Sequence, residues 1–273
     1  VKSIVLGCIF VNQQTLITVI FTFVPEAIFE KCKLLPFFSN DMNIVLTRVL
    51  SFLIVLLLTI GISALYLYRR KKICIKGNNY SIQIEYGDLL EMRNCKKVIT
   101  FDECFTTKVG DSPSDVKPTS ICGQYLEENP IQDMQNLIDN AQLKPMKSKS
   151  KYRNKVRYES GIILPNGEYL LMAFAKLDKD GLGRFFSYDE FLECLSLFWK
   201  EIDKYYGQND VCISILGSGL TRIGDTSFTK QELLDIIIGS YKLSRHKIKF
   251  PNKLRIVCKK SEDFSLNKIS ENV

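Results

Sequence analysis

Val49 to Tyr68, VLSFLIVLLLTIGISALYLY, runs for twenty residues without a charge, and Arg69, Arg70, Lys71 and Lys72 follow at once. A helix rises ~1.5 Å per residue, so about twenty residues cross the ~30 Å hydrocarbon layer of a bilayer. The pattern predicts a spanning helix over about residues 46–68, stopped by a basic cluster. A second uncharged stretch, Ser3–Val24, is interrupted by Asn12, Gln13, Gln14 and Thr15. Pro25, Glu26 and Ala27 follow it, which is not a small-x-small cleavage site, so a second span over about residues 3–24 is favoured over a removed signal peptide. Amides inside a membrane tend to face a neighbouring helix, so Asn12, Gln13 and Gln14 are expected to support a homo-oligomer.

Charge gives an orientation. Residues 1–72 hold 8 Lys+Arg against 3 Asp+Glu, and residues 73–273 hold 29 against 27. Lys2, Arg69, Arg70, Lys71, Lys72 and Lys76 flank one side of the two spans, whereas Lys31, Lys33 and Arg48 flank the loop between them. The basic excess predicts a multi-pass protein of the cell membrane with both termini in the cytoplasm and the lipid bilayer as a partner. The nearly neutral remainder argues against nucleic acid as a partner.

The nine cysteines are scattered, none as C-x-x-C, and several lie in apolar runs. That predicts reduced thiols, not a disulfide framework. There is one histidine, His246, in a basic run. A His-rich metal site is ruled out, and no metal or cofactor is expected.

The expected organisation is a two-helix membrane hairpin (1–72), a cytosolic domain (73–262) and a polar tail (263–273) that frays. Apolar runs predict strands at Ser81–Tyr86, Lys97–Phe101, Ser160–Leu164, Glu168–Ala175, Val211–Leu216 and Leu254–Cys258. Pro165-Asn166-Gly167 reads as a hairpin turn. Ile131, Met134, Ile138 and Ala141 mark one helix. Ser187 with Glu190, stapled by Phe186 and Phe191, opens a second, and Thr229 with Glu232 opens a third that runs to about Leu243. Leu192, Leu195, Trp199, Ile202 and Tyr206 form a core stripe. Strands alternating with helices imply an α/β domain with helices covering a mixed sheet. Lys144–Arg157 carries seven basic residues and no acid. It is either a solvated loop or an arm near an anionic membrane face or ligand.

Two stretches suggest chemistry. In Val211–Asp225, a strand runs into Gly217-Ser218-Gly219, then Leu220, Thr221, Arg222 and Gly224. Such glycines make either a plain turn or a cradle whose N–H groups approach an anion, with Arg222 free to pair with phosphate. No G-K-[ST] follows, so this is not a P-loop. Asp88, in Tyr86-Gly87-Asp88-Leu89-Leu90, either caps a turn or accepts a hydrogen bond from an exocyclic amine.

These stretches stand in order with Val98–Phe105, Ser120-Ile121-Cys122-Gly123-Gln124, Met172–Lys176 and Leu216–Arg222. Together they resemble a macro domain, the ADP-ribose-binding fold. With two spans in front, the chain resembles the transmembrane macro-domain effectors of type II Thoeris antiphage defence, the ThsA family. The resemblance implies a macro-domain-like mixed sheet sandwiched by helices. It implies Asp88, followed by Leu89, at adenine, and Gly217, Ser218, Gly219, Leu220, Thr221 and Arg222 at the pyrophosphate. Asp102 to Thr107, which includes Glu103, and Ser120 to Gln124, which includes Gly123, would surround the distal ribose. It further implies a TIR-domain enzyme that consumes NAD and releases an ADP-ribose-type messenger. Binding of that messenger would trigger assembly and membrane damage.

Hydrolytic macro domains carry an Asn-rich segment followed by glycines. Here Thr100-Phe101-Asp102-Glu103 stands instead, and Glu127-Glu128 lacks the glycines of glycohydrolases. The expectation is therefore a binding protein without catalytic residues. A membrane-anchored ADP-ribosyl hydrolase and a non-catalytic tethered scaffold are the alternatives. By charge alone, Asp102 and Glu103 suit a cationic or amine-bearing substituent on the terminal ribose.

Overall fold

The computed structural model describes residues 40–224, 227–261 and 264–269. The predicted first span, with Asn12, Gln13 and Gln14, lies outside the described residues. The chain divides near Arg70 into two compact units.

The first unit contains helix α1 (Asn40–Arg69). Its segment Ile44–Arg69, 26 residues, is long and apolar enough to cross a membrane. At ~1.5 Å per residue it reaches about 39 Å. Leu57, Leu58 and Ile62 are exposed, an arrangement that suits an apolar medium. Two of its hydroxyls are satisfied within the helix: Ser51 Oγ donates to Thr47 O (2.7 Å), and Thr59 Oγ1 to Leu56 O (2.8 Å) and Val55 O (3.0 Å). This is how polar side chains are tolerated where water is absent.

The second unit is an α/β sandwich. Its elements are β1 (Lys72–Gly77), β2 (Tyr80–Tyr86), β3 (Cys95–Asp102), α2 (Ile121–Glu128), α3 (Met134–Asn140), β4 (Ile163–Asn166), β5 (Tyr169–Leu177), β6 (Gly183–Phe185), α4 (Tyr188–Tyr205), β7 (Asp210–Ser214), β8 (Arg222–Ile223), α5 (Lys230–Leu243) and β9 (Leu254–Cys258). The sheet order is β1-β2-β9-β7-β3-β5-β6-β8, with β4 also on β5. β2, β9, β7, β3 and β5 are mutually parallel, while β1 and β4 run antiparallel to their neighbours. The mixed sheet covered by helices matches the fold class expected from the sequence.

Strand alternation divides the core into two layers. Ile99, Phe101, Leu171 and Ala173 pack with Cys122, Tyr125 and Ile138 on the α2–α3 side. On the other side Phe174 meets Phe185 and Phe191 with centroids 4.9 and 6.1 Å apart, and Trp199 on α4 meets Tyr241 on α5 at 4.8 Å. The predicted core residues Leu195, Trp199 and Ile202 are buried.

Several boundaries moved. The hairpin loop is Gly167-Glu168, because Asn166 still pairs with Tyr169; Gly167 alone takes the positive φ (+63°). Gly161 leaves the expected strand because it turns (φ +104°) where a Cβ would overlap the Cys194 carbonyl on α4. Thr229 and Glu232 form the full capping box. At α4 only half forms: Ser187 accepts from Glu190 N, but Glu190 reaches the Phe186 N–H. The Phe186 staple is absent, since that ring is exposed and lies under Lys151 Nζ (3.5 Å). The expected fraying is not seen at Phe264 and Leu266, which are buried beside Tyr86; Leu266 N donates to Tyr86 Oη (3.1 Å).

Candidate functional site

Because β2, β9, β7, β3 and β5 are parallel, the loops that follow them share one end of the sheet. Ligands of open α/β sheets bind there. Asp88 follows β2, Lys259 follows β9, residues 215–221 follow β7 and residues 103–107 follow β3. Asp88 and the glycine loop are separated by one strand, β9, about 10 Å at ladder spacing.

Asp88 is half-buried. Its Oδ2 pairs with Lys259 Nζ at 2.7 Å, and its Oδ1 accepts Leu90 N at 3.1 Å. The Lys259 ammonium holds the carboxyl below the usual carboxylate range. Leu89 is in the core (2% exposed), so only its backbone is available to a ligand.

The glycine loop leaves β7, crosses the ends of β3 and β5, and returns as β8 beside β6. Gly217 makes the turn with φ +82°, and a Cβ there would come 3.1 Å from Ile223 Cδ1. Ser218 turns inward, its N–H and hydroxyl both on Ile215 O (3.2 and 2.6 Å). The amides of Gly217, Gly219, Leu220 and Thr221 have no protein acceptor among the described residues. A Cβ on Gly219 would meet only open space. Leu220 and Arg222 are exposed. Successive free N–H groups of this kind form an anion-binding concavity.

After β3 the chain turns sharply. Asp102 Oδ1 accepts the N–H groups of Cys104 (2.7 Å) and Thr106 (3.3 Å), and Phe105 takes φ +52°. Burial pushes the Asp102 carboxyl up, and burial with the Asp102 charge pushes the Cys104 thiol up to about 12. Cys104 is therefore a thiol at neutral pH, not a nucleophilic thiolate. A cleft of about 420 Å³ opens beside this turn, lined by Cys104, Phe105, Thr106, Thr107, Lys108, Lys155 and Val156. Asp88 and residues 217–222 lie outside its lining.

Glu103 points the other way. It is 1% exposed; Oε1 accepts Ser150 Oγ (2.5 Å) and Leu177 N (3.2 Å), and Oε2 pairs with Arg157 (3.1 Å). The chain itself consumes this carboxylate, so its charge faces the basic segment and not the solvent. Ser120, Gly123 and Gln124 also have work within the protein. Ser120 caps α2 through Gly123 N, a Cβ on Gly123 would overlap the Lys117 carbonyl, and Gln124 donates to Thr119 O (3.2 Å).

Sequence reasoning missed Lys259 and did not single out Lys155 within its basic segment. Lys259 sits in a run that reads as surface charge and reaches this end through the pairing of β9 with β2, whereas Lys155 belongs to the basic segment that the sequence left open between a solvated loop and an arm near an anionic membrane face or ligand. His246 lies between α5 and β9, at the opposite end of the sheet, paired with Asp203 (2.9 Å). No group of three or more potential metal ligands occurs among the described residues.

Residues 82–259, more than half of the chain, match the family described as Thoeris protein ThsA, Macro domain. The chain belongs to the ThsA macro-domain family. It is 28% identical over 232 residues to the Thoeris protein ThsA of Bacillus amyloliquefaciens, covering 79% of this chain and 77% of that one. Among solved structures, a mutant macrodomain of Oceanobacillus iheyensis superposes with TM-score 0.45 at 10% identity, covering 73% of this chain and 95% of that chain. A second mutant of that macrodomain, solved with ADPR, gives TM-score 0.45 at 9% identity, covering 70% and 92%. The ThsA match runs from β2 to the residue after β9, so it takes in Asp88, the glycine loop and Lys259 together.

Proposed function

We propose that this chain is a membrane-embedded effector of antiphage defence whose second unit senses an ADP-ribose-type nucleotide. Membership of the ThsA macro-domain family supports the defence role and the ADP-ribose-type ligand, and the length and apolar character of Ile44–Arg69 support the membrane embedding. The observation that carries it is the set of unpartnered amides of Gly217, Gly219, Leu220 and Thr221, at the same end of the sheet as Asp88. In this reading the amides and Arg222 receive the two phosphates. Asp88 receives the adenine amine, and the cleft beside Asp102 receives the distal ribose. Glu103, Ser120 and Gly123 hold the walls in place and do not touch the ligand.

A TIR-domain enzyme that consumes NAD is the proposed source of the signal. α1 and a preceding span, with both termini in the cytoplasm, anchor the sensor in the cell membrane. A ligand drives assembly only in so far as it binds the assembled state more tightly than the free one. Self-association would then disrupt the bilayer.

The test is calorimetry on the detergent-solubilised full chain, with ADP-ribose against AMP and ribose 5-phosphate. Tight binding of ADP-ribose alone, abolished by Asp88→Ala and by Gly219→Glu, is expected. No binding by any of them leaves a tethered scaffold, and turnover of an ADP-ribosylated protein makes the chain a hydrolase.

A further inference from the structure

We propose that the basic hairpin at residues 144–157 is a docking surface for anionic lipid headgroups. The segment holds seven basic residues and no acid. It is folded, not loose. Met146 N donates to Arg157 O (2.9 Å) and Ser150 N to Lys155 O (2.9 Å), and Arg153 and Asn154 make the turn with φ +52° and +51°. Its root is anchored inward by Glu103 on Ser150 and Arg157, and its tip by Tyr152, which is 7% exposed. The anchoring uses up one cation, Arg157. Lys144, Lys147, Lys149, Lys151, Arg153 and Lys155 remain exposed. Six cations on a fixed backbone lose little freedom on meeting a charged surface. Clusters of four to eight such residues next to a spanning helix suit anionic leaflets.

Connectivity makes the surface a membrane, not a soluble partner. Glu103 and Leu177, which hold the hairpin, end β3 and β5, so the hairpin stands at the carboxyl end of the parallel strands. β1 begins at that same end: Lys72 pairs with Glu85, and Tyr86 N donates to Lys71 O (3.0 Å). Only Arg70 and Lys71 lie between α1 and β1, a reach of at most about 10 Å. The inference rests on α1 crossing the bilayer, but not on the nucleotide reading.

The test reconstitutes the full chain in vesicles of phosphatidylcholine alone, or with phosphatidylglycerol, and follows trypsin cleavage after Lys149, Lys151 and Arg153. Cleavage is expected to slow at least about fivefold over the anionic vesicles, the effect of one cation's attraction to such a leaflet, and to recover in high salt. Lys144→Gln with Lys147→Gln, which leaves the monitored sites intact, should reduce the protection. Equal rates over both vesicles overturn the proposal. So does equal protection by inorganic phosphate over neutral vesicles, which would assign the hairpin to a soluble anion. A chain that alkaline carbonate strips from the vesicles overturns the spanning reading of α1, and this inference with it.

Discussion

Asp88 and Lys259 meet at the ends of two neighbouring parallel strands, Oδ2 to Nζ 2.7 Å. The pair links the first strand of the parallel set to the last in sequence, 171 residues apart in the chain. Because Lys259 lowers the Asp88 pKa in the folded state, the stabilisation is whole above the usual carboxylate range. It is lost as pH falls through the lowered folded value. The melting temperature of wild type should exceed that of Asp88→Asn at neutral pH, with the gap closing as the pH falls below the usual carboxylate range. A gap that stays constant across that range refutes the assignment.

Glu103 is the buried anchor of the basic hairpin. Removing one partner of a buried ion pair costs about 3–5 kcal/mol, because the other charge is left unpaired. Arg157→Ala should lower the melting temperature strongly, since it leaves the buried Glu103 carboxylate without its cation, whereas the Arg157 head left by Glu103→Ala is partly exposed and can be hydrated; both should open the hairpin to trypsin. Thermal unfolding and proteolysis of both variants check the order.

Gly217 and Gly219 separate conformation from ligand access. Gly217→Ala forces a side chain into φ +82°, at a cost of about 1–2 kcal/mol. Gly219→Glu fills open space in front of the free amides with a negative charge. The first should lower stability, whereas the second should leave stability unchanged and abolish ADP-ribose binding. Paired melting and calorimetry distinguish them.

Gly123 tests the wall of the site. A Cβ there overlaps the carbonyl of Lys117, which is backbone and cannot swing aside. Gly123→Ala should cost about 1–3 kcal/mol through overpacking and shift α2, which lowers affinity only through the fold. An unchanged melting temperature with lost binding would make Gly123 a direct contact instead.

Much of this was legible in the sequence. The uncharged run before Arg69 announced α1, and the Thr229–Glu232 box fixed the start of α5 because capping is local chemistry. Lys97–Phe101 and Leu254–Cys258 were readable as strands from their apolar patterning. β6 and β8 were not, since strands of three and two residues have no periodicity. α2 was hidden because Ser120–Gln124 stood only as the ligand segment that the resemblance implies, and its cap at Ser120 precedes a helix of just eight residues. The roles of Glu103 and Lys259 depend on which strands become neighbours, and that information is not local. Leu89 lies in the core, inside the turn that Asp88 opens by accepting the Leu90 N–H.

The two borders of the sheet constrain how copies of this chain can meet. One border is shared by β8, two residues long, and β4, four residues that include Pro165, and the other, β1, carries exposed Lys72 and Lys76. Short or lysine-bearing margins resist strand addition. Sheet extension is thereby disfavoured at these margins, so the self-association proposed above would have to run through helices or loops.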